Sequence, residues 1–320
     1  MKNSISHSNK PKTKLVDVII PSYNHGRFLR TALQSVVTQS GSYLNQIFVV
    51  DDGSTDDTRK VVEEMEQKYG NIRYLHQKNK GLSSARNLGI KNAKSPYIAF
   101  LDADDIWEKT KIVKQVSRFM NDNNPHLGIV YCDYNDIDVE GEKIDLATQK
   151  LDTQAKGNVY QKLLGGNYIA GSGSGVLVRR ECFTKCGYFD ESLPSCEDWD
   201  MWLRISRKYE VGYVNEKLLS IRRTSSSLST DERKMAIGAA MLCEKNPDIL
   251  EDKVGQAYVQ SIVSQAFAAE FPLHNTAKRL RGIVSKMTYQ KTTSLTPHFI
   301  RNYLAKFANR LVVNTKRLFI

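Results

Sequence analysis

An apolar run that ends abruptly in carboxylates constrains this chain more than any other feature. Tyr97-Ile98-Ala99-Phe100-Leu101 is apolar or aromatic without alternation, the pattern of a strand buried on both faces. It stops at Asp102-Ala103-Asp104-Asp105, three acids within four positions. Like charges at that spacing repel, so a folded chain that gathers them needs a cation, a hydrogen-bonding ligand or open water. Taken alone, the turn also reads as a solvated cap for a helix over Lys109–Met120. Two earlier apolar runs end in the same manner, and that repetition favours a site. Val16–Ile20 reads as a strand that stops at Pro21-Ser22-Tyr23-Asn24, and Ile47–Val50 as one that ends in Asp51-Asp52-Gly53-Ser54-Thr55-Asp56.

The segments between these runs have helical spacing. Phe28, Leu29, Ala32, Leu33, Val36 and Val37 share one face, as do Val61, Val62 and Met65. Ile72–Leu75 reads as a short strand and Gly81–Ala93 as a helix that carries Arg86 and Asn87. Gly128–Asp133 reads as a further strand, and 135–157 as polar and irregular. Strands alternating with helices imply an α/β fold with a mostly parallel central sheet. In such sheets ligands bind beyond the carboxyl ends of the strands, which is where the three polar endings fall. Carboxylates there can hold Mg²⁺ or Mn²⁺, which in turn binds phosphate oxygens. Asp52 could accept hydrogen bonds from a base or ribose, and the ring of Tyr23 could stack on a base or simply pack.

Other phosphate sites are absent from the sequence. There is no G-x-x-x-x-G-K-[ST] loop. Gly171-Ser172-Gly173-Ser174-Gly175 precedes a strand-like Val176–Arg179 instead of following a strand and opening a helix, so it reads as a flexible loop lining the site or a plain hairpin turn. A nucleotidyltransferase would also use acid-held Mg²⁺, but would carry a glycine-rich basic loop where this chain has Pro21-Ser22-Tyr23-Asn24-His25.

Charge separates the ends from the middle. Of the net +11, residues 1–14 carry four Lys and no acid, and residues 223–320 carry 15 Lys and Arg against 7 acids, so the middle is nearly neutral. No recognised nucleic-acid motif accompanies the basic ends. Five scattered cysteines suggest reduced thiols and a cytoplasmic setting, and no His lies near Cys182 and Cys186 to complete a zinc site. No apolar stretch is long enough to span a membrane, and the first fourteen residues have no apolar core for a secretory signal. From Thr296-Pro297, Ile300, Leu304, Phe307, Leu311 and Leu318 share a face opposite Lys306, Arg310 and Arg317. A basic amphipathic helix of that kind can lie peripherally on an anionic membrane, or pack its apolar face on the core.

The ordered segments Ile19–Asn24, Val50–Asp56, Asn79–Gly89, Phe100–Asp105, Gly187–Asp190 and Glu197–Arg204 resemble the successive signatures of family 2 glycosyltransferases, across roughly Val16–Arg223. The resemblance implies a GT-A fold over 15–223; charge and helical spacing mark a basic tail over 1–14 and a helical basic region over 224–320. The resemblance also implies inverting transfer from a nucleotide sugar, most simply a UDP-sugar, to a hydroxyl of a glycan or lipid-linked acceptor. Pro21, Ser22, Tyr23 and Asp52 would hold the base, Asp102 would approach the ribose, and Asp104 with Asp102 would hold the metal. Arg86 would lie near the phosphates. Asp198 would be the general base with Glu197 beside it, although acids there also suit a helix N-terminus. Thr224 stands where many relatives have a His that helps hold the metal or diphosphate; either Arg223 or the following serines would contact the diphosphate instead, or the loop would order only on donor binding.

Overall fold

The computed structural model describes residues 14–122, 124–145, 154–224 and 231–257. These divide between two compact units. The first draws on Met1–Val159, Tyr168–Glu191 and Arg204–Thr224, and the second on Tyr160–Asn167, Ser192–Leu203 and Ser225–Ile320.

The first unit is built on a mixed sheet, and its parallel half forms as the sequence implies. Strands β1 (Val16–Ser22), β2 (Leu44–Asp51), β3 (Ile72–His76) and β4 (Tyr97–Phe100) alternate with helices α1 (Gly26–Val37), α2 (Thr58–Lys68) and α3 (Leu82–Asn92). The order β3-β2-β1-β4 is parallel throughout. Next to β4 lies β8 (Val176–Arg179), antiparallel to both β4 and β6 (Leu127–Ile137). β9 (Glu210–Arg222) pairs in parallel with β6, and the two-residue β5 (Ile106–Trp107) closes the far edge against β9. The short β7 (Lys143–Ile144) adds to the end of β6.

β1 is buried along its whole length, and its alternation separates two layers. Val16, Val18 and Ile20 join the cluster of Leu29, Leu33 and Val36 from α1, Val62 and Met65 from α2, and Ile112, Val116 and Phe119 from α4 (Lys111–Asn121). Burying each such side chain contributes about 1.5–3 kcal/mol. On the other face Phe100 meets Phe183 of α7 (Glu181–Cys186) and Phe189 edge-on, with ring centroids 5.8 and 5.5 Å apart. Asp17, fully buried at the amino end of the sheet, accepts from Asn45 Nδ2 and from the amides of Gln46, Lys94 and Ser95. Lys111 is buried too. Its ammonium lies 4.1 Å from the Trp107 ring centroid and donates to Gln115 Oε1, and burial lowers its pKa to about 8.

Three local expectations change. β1 does not stop at Pro21 but runs on to Ser22, with Pro21 opposite Val50 of β2. Its pairing with β4 has already ended at Ile19 and Phe100, so the missing N–H of Pro21 lies beyond that ladder. β6 continues through Tyr134–Ile137, because β9 offers partners from Leu219 to Arg222, and that pairing outweighs the polar composition. The glycine-serine run is neither a flexible loop nor a hairpin turn. Ser172–Gly175 forms a buried helical turn, α6, entered through Gly171 at φ 76°.

In the second unit, α5 (Tyr160–Leu164), the start of α8 (Glu197–Ser206), α9 (Glu232–Lys245) and the short α10 (Asp248–Glu251) are helical. Most of the helical basic region expected over 224–320, and the whole amphipathic segment from Thr296, lie outside the described residues. Among the described residues no helix is long and apolar enough to cross a membrane. All five cysteines are free, four of them buried.

Candidate active site

The carboxyl ends of β1, β2 and β4 lie along one edge of the sheet. Ser22 pairs with Asp51, the Asp52 amide donates to Ser22 O, and the Leu101 amide donates to Ile19 O. The β1–α1 and β2–α2 loops are stitched together beyond that edge. Asn24, in the left-handed region at φ 55°, donates its amide to Ser54 Oγ and accepts from the Thr55 amide. The Gly26 amide donates to Asp56 Oδ2 at 2.9 Å. Burial raises the Asp56 carboxyl, but hydrogen bonds from Thr58 and Gly26 outweigh it and hold the group below the usual range. Gly53 turns the chain at φ 84°, a conformation that suits glycine.

Within this frame Tyr23 is 47% exposed, whereas Pro21 and Ser22 are buried. The Ser22 hydroxyl has no hydrogen-bond partner among the described residues. Asp51 faces inward and accepts from Tyr74 OH at 2.7 Å and from the Ser54 amide. Asp52 is also buried. Its oxygens accept from Gln77 Nε2 (2.7 Å) and from the amides of Lys80 (2.9 Å) and Gly81 (2.8 Å), which ties the end of β2 to the entrance of α3.

Arg86, on α3, is 1% exposed and donates from Nη2 to Asp102 Oδ1 at 2.9 Å. Its guanidinium lies 5.4 Å from the Phe189 ring centroid. Beneath it lies α6, where a Cβ on Gly173 would come within 2.8 Å of Arg86 Nη2. The neighbouring Ser174 accepts the Asp102 amide at 3.0 Å and, through its carbonyl, the Trp107 indole N–H at 2.9 Å. The turn that the sequence read as a loop is therefore the floor under the Arg86–Asp102 pair.

The rest of the acidic turn is held by Arg222 at the end of β9, a residue that sequence reasoning did not single out. Its amide donates to Asp105 Oδ1, its Nε to Asp104 O, and its Nη1 to the carbonyls of Asp138 and Val139. Its guanidinium also lies 4.8 Å from the Phe28 ring centroid. Burial and the nearby Asp102 charge raise the Asp104 carboxyl, and His25 and Arg222 only partly offset this. Asp105 is raised well above the carboxylate range by complete burial and by both neighbouring acids. Concentrated negative charge that the fold disfavours fits a divalent cation. Among the described residues, however, no three His, Cys, Asp or Glu side chains are grouped to hold a metal unaided. Arg223, named above as one substitute for the missing His, pairs its guanidinium with the buried Asp136 through Nε (2.7 Å) and Nη2 (2.5 Å). The serines after it lie outside the described residues.

The remaining candidates belong to the second unit. Glu197 is buried and Asp198 half-buried at the start of α8, directly after Cys196 at φ 60°. Asp198 Oδ1 accepts the Trp199 amide at 2.7 Å, and Oδ2 accepts from Asn167 Nδ2 at 3.1 Å. Asp200, two residues on, is paired with Lys245 Nζ at 3.0 Å.

Comparison with known proteins follows the same lines. The sequence pattern described as Glycosyl transferase family 2 matches residues 17–186. An uncharacterized glycosyltransferase of Rickettsia felis is 34% identical over 239 residues, 74% of this chain but 37% of that protein, so the chain spans little more than a third of it. The fold matches Staphylococcus aureus TarS, solved with UDP-GlcNAc, with a TM-score of 0.62 at 17% identity over 85% of this chain and 80% of that one. It also matches a Pyrobaculum calidifontis mannosyltransferase, solved with GDP-Man and Mn²⁺, with a TM-score of 0.59 at 16% identity over 96% and 88%. With more than half of its length matched by that pattern, the chain belongs to glycosyl transferase family 2.

Proposed function

We propose that this chain is a metal-dependent, inverting glycosyltransferase. It moves a hexosyl or N-acetylhexosaminyl group from a nucleotide sugar, most simply a UDP-sugar, to a hydroxyl of a glycan or lipid-linked acceptor in surface polysaccharide assembly. The observation that carries this reading is the acidic turn at the carboxyl end of β4. There Asp102 is paired to a buried arginine, and Asp104 carries charge that the fold itself disfavours. The UDP-GlcNAc and GDP-Man bound by the two structural relatives support a nucleotide-sugar donor.

The exposed Tyr23 ring stacks on the base, and Ser22 and Asp52 border it. Arg86 keeps Asp102 in place and adds positive charge near the phosphates. Asp104 and Asp102 would hold Mn²⁺ or Mg²⁺, with phosphate oxygens and water completing the shell. When bound, the ion supplies positive charge to the departing diphosphate. The acceptor oxygen attacks the anomeric carbon as the bond to the diphosphate oxygen breaks, and the electron pair leaves with the nucleotide. The acceptor's proton passes to Asp198, beside Glu197. Attack opposite the leaving group inverts the anomeric centre.

A screen of UDP-, GDP- and dTDP-sugars with Mn²⁺ or Mg²⁺ tests this reading, with nucleotide release and donor binding measured together. At least one donor is expected to bind and turn over only with metal. Absence of binding for every donor under every metal condition would sink the reading. Flotation with anionic liposomes, with and without residues 296–320, tests the proposed peripheral membrane contact.

A further inference from the structure

Asn167 follows α5, and nothing in its local sequence marks it. In the second unit its amide Nδ2 donates to Asp198 Oδ2 at 3.1 Å. A second bond joins the same two segments, from the Trp199 indole Nε1 to Leu163 O at 2.7 Å, with both residues buried. The five residues from Leu163 to Asn167 thus grip two consecutive residues at the start of α8. α5 is itself braced by Tyr160 OH, which donates to Asp248 Oδ2 of α10 at 2.6 Å.

The consequence for Asp198 is orientation. Oδ1 accepts the Trp199 amide and Oδ2 the Asn167 amide, so a donor fixed on each side defines the plane of the carboxylate. Each carboxylate oxygen has two acceptor positions, so a single hydrogen bond from Asn167 does not by itself saturate Oδ2. The choice of an amide also matters. A lysine or arginine in that position would stabilise the anion by charge and weaken it as a base, whereas a neutral donor orients it at less cost in basicity. The neighbouring Asp200, which the proposed reaction does not use, takes the lysine instead.

We infer that Asn167 is a positioning residue for the transfer step, holding the Asp198 carboxylate in the single orientation from which it removes the acceptor proton. The inference rests on the reading of Asp198 as the base.

The test is a double-mutant cycle in the full chain, with Asn167→Leu and the smaller, polar Asn167→Ser, each alone and combined with Asp198→Asn. Transfer is measured at saturating donor, and donor binding by calorimetry. Each single Asn167 variant is expected to lower kcat about 10–100-fold, the scale of a misplaced catalytic group, with donor Kd within about twofold of the parent. In the Asp198→Asn background the same substitutions are expected to change the residual rate less than about twofold. Three results would overturn the inference. One is kcat within twofold of the parent for both variants while Asp198→Asn is impaired, which leaves the base assignment standing. Another is full additivity with Asp198→Asn, which marks a merely structural role. The last is normal transfer by Asp198→Asn itself, which removes the base assignment first.

Discussion

The proposed reaction draws on two short acidic segments, and the fold treats them in opposite ways. Asp102-Ala103-Asp104-Asp105 and Glu197-Asp198-Trp199-Asp200 each place three acids in four positions. In the first, one arginine neutralises Asp102, while Arg222 meets Asp104 and Asp105 mainly through its own amide and a backbone carbonyl, so Asp104 and Asp105 remain disfavoured as anions. In the second, a lysine takes Asp200, and neutral amides take Asp198. A segment left short of positive charge suits a cation-dependent ligand. A segment whose Asp198 accepts from two amides fits the base proposed above. Similar composition is thus given different surroundings, and the two proposed roles follow from the partners.

That contrast can be broken at either segment. The largest effect is expected from Asp198→Asn. Transfer should fall by about 10²–10⁴-fold with donor binding unchanged, as read by saturating-donor kinetics and calorimetry. Next is Asp104→Ala, for which donor binding should lose its Mn²⁺ dependence and transfer should drop by roughly 10²-fold or more. If donor binding by that variant still responds to metal, the first segment is not the cation site and the contrast fails. Smaller in scale, Arg86→Met should destabilise the chain by about 2–3 kcal/mol in urea unfolding, because it removes a charged hydrogen bond made by a buried guanidinium. Gly173→Ala should cost about 1–3 kcal/mol by crowding the same guanidinium, with the damage seen in donor binding as well as in stability.

A pH series sharpens the comparison with a cation instead of an anion. Lys111 is buried without a carboxylate partner among the described residues, and its folded pKa, about 8, lies below the ordinary value of 10.5. Between those values the unfolded chain binds the extra proton, so stability should rise as pH increases from about 8 to about 10.5. Below pH 8 both states are protonated and this contribution is flat. Lys111→Met should remove that rise from a pH series of unfolding curves.

What could be read from the sequence was local. The apolar runs ending in Pro21-Ser22, Asp51-Asp52 and Asp102–Asp105 declared their strands, because side-chain period and abrupt polarity are carried by neighbouring residues. The helix opening at Glu197-Asp198 was legible for the same reason. Arg222 and Asn167 were not, since their meaning comes from partners 118 and 31 positions away. Nor was the helical form of α6. Glycine and serine suit loops by propensity, and the need for small residues there comes from the fold, where a Cβ on Gly173 would crowd Arg86, one on Gly171 Leu219 and one on Gly175 the Ala170 carbonyl. Pro21 misled because proline's penalty depends on which side of the strand is paired, which a single segment does not reveal.

The stitching of the β1–α1 loop to the β2–α2 loop has a kinetic corollary. Asn24, Ser54, Thr55, Gly26 and Asp56 hold one another through bonds that need no outside molecule. The cradle beside Tyr23 thus exists before anything docks, and little conformational entropy remains to be lost there on association. Stopped-flow mixing with a nucleoside diphosphate should accordingly give a single exponential whose rate climbs linearly with concentration, without the plateau of a slow rearrangement.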